Sequence, residues 1–194
     1  MKLLRYGKSG YEKPGLLDTR GEIRDLSGVI ENVDASTLSP ANLRKLRTVN
    51  AESLPLVKGR PRLGVPYTGI SKFVAVGLNY SDHAAEAGMA VPSEPILFSK
   101  TTTSITGPND PVILPRDSTK GDWEVELGVV MGSTARYVPE ERAVDYVAGY
   151  CVVNDVSERN FQLERGSQWD RGKGCDTRSE EHTSELQSRF GISY

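Results

Sequence analysis

The sequence predicts an α+β protein in which β-strands predominate. Its apolar runs are short and are bounded by glycine, proline or polar clusters, which is typical of strands; examples are KFVAVGL, PILFSK, DWEVELGVVMG and VAGYCVVND. Helical patterns such as YSDHAAEAG and PEERAVDYV are also short. We therefore expect a mainly β architecture with a few covering helices.

Residues 1–68 are predicted to form a small N-terminal β-rich domain followed by a linker. KLLRY predicts a strand, and the turn DTRG inside PGLLDTRGEIRDLS predicts a hairpin. Ser39 is suited to cap a helix that begins at Pro40, with Leu43 and Leu46 on one side. KGRPRLGVPYTG lacks apolar periodicity and is predicted to link the two domains.

Residues 69–177 are predicted to form the N-terminal part of a catalytic domain. The four strands above are expected to be connected by the helices YSDHAAEAG, PEERAVDYV and SERNFQLER. Gly88 should end the first of these helices, Pro139 should lie near the start of the second, and Ser157 should cap the third.

Composition and charge exclude several partner classes. The 24 basic and 26 acidic residues nearly balance, and there is no basic stripe with interleaved aromatics, so we expect no nucleic-acid partner. Arg5 interrupts the first apolar run, and no segment approaches the roughly 20 apolar residues of a membrane span. Cys151 and Cys175 suggest neither a disulfide framework nor a zinc site. We therefore expect a cytoplasmic protein without a membrane partner.

Two glutamates stand in the apolar strand GDWEVELGVV. Side chains two apart on a strand share a face, so Glu124 and Glu126 should project together, opposite Trp123, Val125 and Leu127. One interpretation is that the pair simply faces water on a half-exposed strand. The other is that the two carboxylates belong to a site.

Asp155, at the end of VAGYCVVND, favours the second interpretation if it lies near that pair. Three neighbouring carboxylates repel one another unless a cation lies among them. Oxygen ligands in this number suit a hard ion such as Mg²⁺ or Mn²⁺. The sequence itself does not establish that Asp155 is close to the glutamates.

Other candidate site residues have equally simple alternatives. His83 precedes Glu86 by three positions, so both share a helix face, where the carboxylate could orient the ring; a solvated ion pair is the alternative. Lys173 lies between glycines and would otherwise belong to a surface loop. Arg159 and Gln162 are candidate substrate-binding residues or exposed helix residues.

Taken together, the segments resemble the fumarylacetoacetate hydrolase superfamily from the start to about Thr177. The matching pieces, in order, are GLNYSDHAAEAG, PILFSKTTTSITGP, DWEVELGVV, YVAGYCVVNDVSERNFQ and QWDRGKGCDT. The resemblance implies a mixed β-roll behind a smaller N-terminal domain, usually assembled as a homodimer. It also implies that Glu124, Glu126 and Asp155 bind Mg²⁺ or Mn²⁺, that His83 with Glu86 is a general-base dyad, and that Lys173 contacts the substrate's oxyanion.

The resemblance implies a lyase or hydrolase of small 2-oxo or 2-hydroxy acids, with the metal polarising the substrate's carboxylate and adjacent oxygen. The extended match is most similar to bacterial ureidoglycolate lyases, which release glyoxylate and urea. Alternatives are a 2-hydroxyhepta-2,4-diene-1,7-dioate isomerase, a hydratase or an acylpyruvate (fumarylpyruvate) hydrolase. A rival of another class is a non-catalytic β-rich binding domain whose acids are merely solvated.

Residues 178–194 are predicted to be a non-native tail. RSEEHTSELQS, residues 178–188, matches one reading frame of a common sequencing-library adapter. A genuine polar helix capped by Ser179 is the alternative. We expect the β-roll to be incomplete at its C-terminus, His182 to carry no function, and the chain by itself to be inactive.

Overall fold

The mainly β class is confirmed by a computed structural model, which describes residues 1–86, 88–166 and 168–176. The strands are β1 (Lys2–Tyr6), β2 (Lys13–Leu17), β3 (Ile23–Asp25), β4 (Val74–Gly77), β5 (Ile96–Ser99), β6 (Gly121–Asp122), β7 (Val125–Met131), β8 (Val147–Asn154) and β9 (Ser157–Glu158). The α-helices are α1 (Pro40–Leu46), α2 (Ser81–Glu86) and α3 (Asp170–Lys173). The predicted tail lies outside the described residues.

All strand pairs in the described part of the chain are antiparallel. β1, β2 and β3 form a three-stranded sheet, whereas β4 pairs with β5, β6 with β9, and β7 with β8. The β7–β8 ladder brings the two strands of the predicted carboxylate site together. Its register places Val125 opposite Asn154, so Glu124 and Asp155 flank the end of the ladder.

Local signals in the N-terminal part are confirmed. The predicted hairpin forms between β2 and β3, and Asp18 closes its turn by accepting hydrogen bonds from the backbone N–H groups of Arg20 and Glu22 at 2.9 and 2.8 Å. The Ser39 hydroxyl accepts from Asn42 N at 3.4 Å at the start of α1. Leu43 and Leu46 are buried, as their spacing predicts.

Two predicted helices differ from α-helices, and one cap is wrong. Residues Glu140–Tyr146, after Pro139, form a 3-10 helix, and Asn160–Glu164 form a π-helix. Ser157 does not cap the latter. It lies in β9, where it pairs with Asp122, and its hydroxyl donates to Asp155 O at 3.0 Å. The strand pairing removes Ser157 from the helix start.

One hydrophobic core joins the N-terminal segment to β7 and β8. It contains Leu3, Leu16, Leu26, Val33, Leu38, Leu43, Leu46, Val130, Ala148 and Cys151. The approach is close at Gly132, where an added Cβ would lie 2.7 Å from Leu38 O and 2.9 Å from Ala148 Cβ. The predicted division into domains at residues 68 and 69 stays a prediction, but this core crosses it.

The predicted linker is anchored by a network of charged side chains. Arg62 donates to both oxygens of Asp110, at 2.6 and 2.5 Å, and to Glu12 at 2.9 Å. Glu12 also accepts from Arg5 at 3.2 Å. Burial by itself would raise the pKa of both carboxyls, but hydrogen bonds from Arg62 hold the pKa of Glu12 and of Asp110 below their ordinary values. The network connects β1 to the loop that follows β5.

This network should make the free energy of unfolding depend on pH. Because the folded-state pKa of each carboxyl is depressed, the stabilisation is present above the ordinary pKa values of 4.5 and 3.8 and is lost as pH falls through the folded values. As pH falls below about 4.5, we expect the free energy of unfolding, measured with urea, to decrease less for Arg62→Met than for the unchanged chain. Arg142→Met, which removes an exposed ion pair with Asp145, is the control. Equal acid dependence in all three proteins would contradict the prediction.

Among the parts of the chain that the structure describes, every helix is too short or too polar to span a bilayer.

Candidate active site

Glu124, which directly precedes β7, and Glu126 on β7 face inward. Val125 and Leu127 are 68% and 61% exposed, whereas Glu124 and Glu126 are partly buried. The predicted alternation of faces is therefore present, but the interpretation in which the glutamates face water is wrong. The acidic face of the strand points toward the elements that carry the other candidate site residues.

Lys173 lies between two of the predicted carboxylates. Its ammonium donates to Glu124 Oε2 at 2.6 Å and to Asp155 Oδ2 at 2.9 Å. Only 3% of Lys173 and 4% of Asp155 is exposed. The interpretation of Lys173 as a surface-loop residue is wrong, and the closeness of Glu124 to Asp155, which the sequence did not establish, is present.

Tight packing holds Lys173 in this place. It ends α3, and the preceding Gly172 lies so close to Glu158 and Gln162 that an added Cβ would be 2.4 Å from Glu158 O. The Lys173 ammonium also lies over the Phe98 ring, 5.3 Å from its centroid. Phe98 in turn packs edge-on against Trp169. The lysine is thus fixed by β5, β9 and its own helix.

Lys100 is a site residue that the sequence reasoning missed. It follows β5 directly, is 7% exposed, and donates to Asp155 Oδ1. Burial lowers the pKa of its ammonium, although the charge of Asp155 acts in the opposite direction. A cation at the end of the apolar run ILFS was the available signal.

Arg159 and Gln162 lie beside the same carboxylates. Arg159 donates to Glu124 Oε1 and, at 2.9 Å, to Asp122 Oδ2. Gln162, which is 3% exposed, accepts from Arg159 Nη1 at 3.0 Å. The alternative of an exposed helix residue is therefore wrong for Gln162. Asp122, which orients Arg159, was also missed.

The negative charges of Glu124 and Asp155 act on the carboxyl group of Glu126. Burial and the negative charges of Glu124 and Asp155 raise the pKa of Glu126, while a hydrogen bond with Tyr80 and the charge of Lys173 act against that rise. The Tyr80 hydroxyl also accepts from Leu127 N at 3.3 Å. This mutual repulsion is what a bound cation would relieve.

His83 and Glu86 share α2, as predicted, but both side chains are exposed there. Neither forms a hydrogen bond or an ion pair with Glu124, Glu126 or Asp155. The dyad stays a prediction.

The donor chemistry of the three acids fits a hard divalent ion. Glu124, Glu126 and Asp155 offer only oxygen, which is the ligand type of Mg²⁺ and Mn²⁺. Within the described ranges, no group of three or more His, Cys, Asp or Glu is already arranged around a metal position. Glu124 and Asp155 instead direct their oxygens at Lys173, Lys100 and Arg159. The ligand set stays a prediction.

A cavity of about 760 Å³ adjoins this cluster. Its polar part includes Glu126, Asp155 and Lys100, whereas β4 and β7 supply apolar walls such as Val76 and Val129. A mostly apolar cavity with a few convergent charged groups is the usual form of a small-molecule site.

A family model matches the part of the chain that carries these residues. The family model described as the fumarylacetoacetate (FAA) hydrolase C-terminal domain matches residues 72–179, more than half of the chain. The chain belongs to the fumarylacetoacetate hydrolase family. All predicted site residues lie within the matched range, and the family resemblance expected from the sequence is confirmed.

The names of relatives of this fumarylacetoacetate hydrolase family member refer to more than one reaction. A Burkholderia ambifaria protein named "Putative hydrolase" is 60% identical over 177 residues, 91% of this chain and 63% of that protein. A fumarylacetoacetate hydrolase structure from Exiguobacterium antarcticum is 31% identical, with a TM-score of 0.75, over 91% of this chain and 63% of the other.

A third comparison gives a different reaction. The structure of a 5-carboxymethyl-2-hydroxymuconate delta-isomerase from Mycobacterium smegmatis is 32% identical, with a TM-score of 0.63, and covers 91% of this chain and 62% of that one. The chain thus spans less than two thirds of the length of each of these relatives. The printed names of these relatives refer to hydrolases and an isomerase.

Proposed function

We propose that the whole protein is a divalent-metal-dependent enzyme acting on small 2-oxo or 2-hydroxy acids. The observation that carries the proposal is the convergence of Glu124 and Asp155 on the buried Lys173, at 2.6 and 2.9 Å, with Glu126 close enough to have its pKa raised by both. Because burying charged groups costs desolvation free energy, a buried cluster of this kind favours a functional site.

In the proposed mechanism, one set of residues binds the metal ion and the substrate, and another set transfers the proton. Glu124, Glu126 and Asp155 would hold Mg²⁺ or Mn²⁺, which supplies charge stabilisation for substrate oxygens when bound. Lys173, buried beside them, would stabilise a developing oxyanion. Arg159, held by Asp122 and Gln162, presents a planar guanidinium suited to a substrate carboxylate. His83, oriented by Glu86, would move the proton.

The identity of the substrate and the type of reaction are the most specific parts of the proposal. The hydrolase and isomerase names of the relatives support an acylpyruvate (fumarylpyruvate) hydrolase or a 2-hydroxyhepta-2,4-diene-1,7-dioate isomerase. A hydratase and a ureidoglycolate lyase rest on the sequence resemblance alone. Turnover of ureidoglycolate, an acylpyruvate and 2-hydroxyhepta-2,4-diene-1,7-dioate by the whole protein separates these branches. We further propose a cytoplasmic homodimer.

Metal titration tests the core of this proposal. We expect calorimetry to show Mn²⁺ binding that is weakened at least tenfold by Glu124→Ala, Glu126→Ala or Asp155→Ala, because each variant removes a carboxylate ligand. Glu140→Ala, at an exposed position on the 3-10 helix, is the matched control. Binding that is unchanged in all three site variants would favour the non-catalytic binding domain.

A further inference from the structure

Lys100 is a buried cation that the mechanism above leaves without a role. It stands 55 residues before Asp155 in the sequence, yet the two side chains are only 6% and 5% exposed and form an ion pair. Burying two charges removes their hydration, which only good mutual geometry and further hydrogen bonds can offset. The burial of this ion pair therefore indicates that Lys100 has a specific role.

The two oxygens of Asp155 have different partners. Lys100 binds Oδ1, whereas Lys173 binds Oδ2 at 2.9 Å. Lys100 also donates to Val156 O at 3.1 Å, so it contacts both the side chain and the backbone of this turn. The backbone of Asp155 is held separately, because its N–H group donates a hydrogen bond to Glu124 O at 2.9 Å.

We propose that Lys100 is a positioning residue that fixes the rotamer of Asp155 and reserves its Oδ2 for the active site. With Oδ1 bound to Lys100, Oδ2 is the oxygen that Asp155 directs toward Lys173 and the active site. This inference rests on the proposed function for the use of that oxygen, but the fixing of Asp155 is independent of it. Supporting residues that orient a metal ligand commonly change metal affinity by about 10–100-fold when removed.

The variant Lys100→Met tests this role. Methionine retains the unbranched apolar stem and removes the ammonium, so a residue that merely filled space would be replaced adequately. Asp155 keeps Lys173 as a partner, which limits the cost of the change. Lys120→Met is the matched control, since Lys120 also pairs with a carboxylate, that of Glu164, but is half exposed.

Two measurements on the chain judge the result. We expect Lys100→Met to weaken Mn²⁺ binding about 10–100-fold in calorimetry and to accelerate amide hydrogen exchange in residues 154–158. Lys120→Met should change neither. Unchanged or tighter Mn²⁺ binding, with unchanged exchange, would overturn the proposal.

The inference and the proposed function can fail separately. If the unmodified chain binds no Mn²⁺, the metal-dependent function fails, and hydrogen exchange alone decides whether Lys100 fixes Asp155: acceleration supports the role and equal exchange overturns it. If Lys100→Met lacks a cooperative melt, Lys100→Gln, which keeps a neutral donor but no charge, is judged by the same criteria.

Discussion

Gly172→Ala should destabilise the protein by about 3 kcal/mol and displace Lys173. An added Cβ would lie 2.4 Å from Glu158 O and 2.6 Å from both Gln162 N and Gln162 Cβ. Two of these neighbours are backbone atoms, so the contact cannot be relieved by a side-chain rotation. The short helix α3 must move away instead, and Lys173 moves with it.

Urea denaturation and Mn²⁺ calorimetry measure these two consequences for Gly172→Ala. Gly28→Ala is the control, because an added Cβ there meets nothing within 4 Å and the residue does not have a positive φ. We expect its stability to change by less than about 0.5 kcal/mol. A Gly172→Ala protein as stable as Gly28→Ala would show that α3 is not packed as described.

His83→Ala should lower turnover of the whole protein by roughly two to four orders of magnitude, the usual contribution of a general base. Its side chain is exposed on α2 and forms no hydrogen bond or ion pair with the three acids, so Mn²⁺ affinity should stay nearly unchanged. Steady-state kinetics on the best substrate of the panel, beside Mn²⁺ calorimetry, measures both quantities.

Glu86→Gln distinguishes orientation from proton transfer. If Glu86 orients the ring and raises its basicity, this variant should retain more activity than His83→Ala and show an altered pH profile of turnover. A loss of only a few fold in His83→Ala would instead return both residues to the solvated ion pair, leaving the metal-binding prediction untouched.

Elements specified by neighbouring residues could be predicted from the sequence. Ser39, Pro40 and the leucine spacing define α1 within one turn. The alternation around Glu124 and Glu126 assigns both acids to one face of the chain at the start of β7. Which of the two faces is buried could not be predicted in this way. It depends on the covering elements, and here the apolar side chains Val125 and Leu127 are the exposed ones.

The remainder of the site depends on contacts between distant residues. Lys100 and Asp155 are 55 positions apart, and nothing near Lys100 in sequence indicates its partner. The predicted cap at Ser157 was wrong for a similar reason, since pairing of β9 with β6 competes with the local helix signal. Asp122, at the other end of that pairing, was missed as the partner of Arg159.

The core that crosses residues 68 and 69 limits how this family member can be recombined with its relatives. Leu38 contacts the β7 end at Gly132 through its carbonyl oxygen, and Leu26 and Val33 share a core with Val130 and Ala148 on the strands that carry the acids. An N-terminal segment exchanged from another sequence must therefore match these surfaces. The N-terminal segment and the strands that carry the acids therefore have to be inherited, or engineered, together.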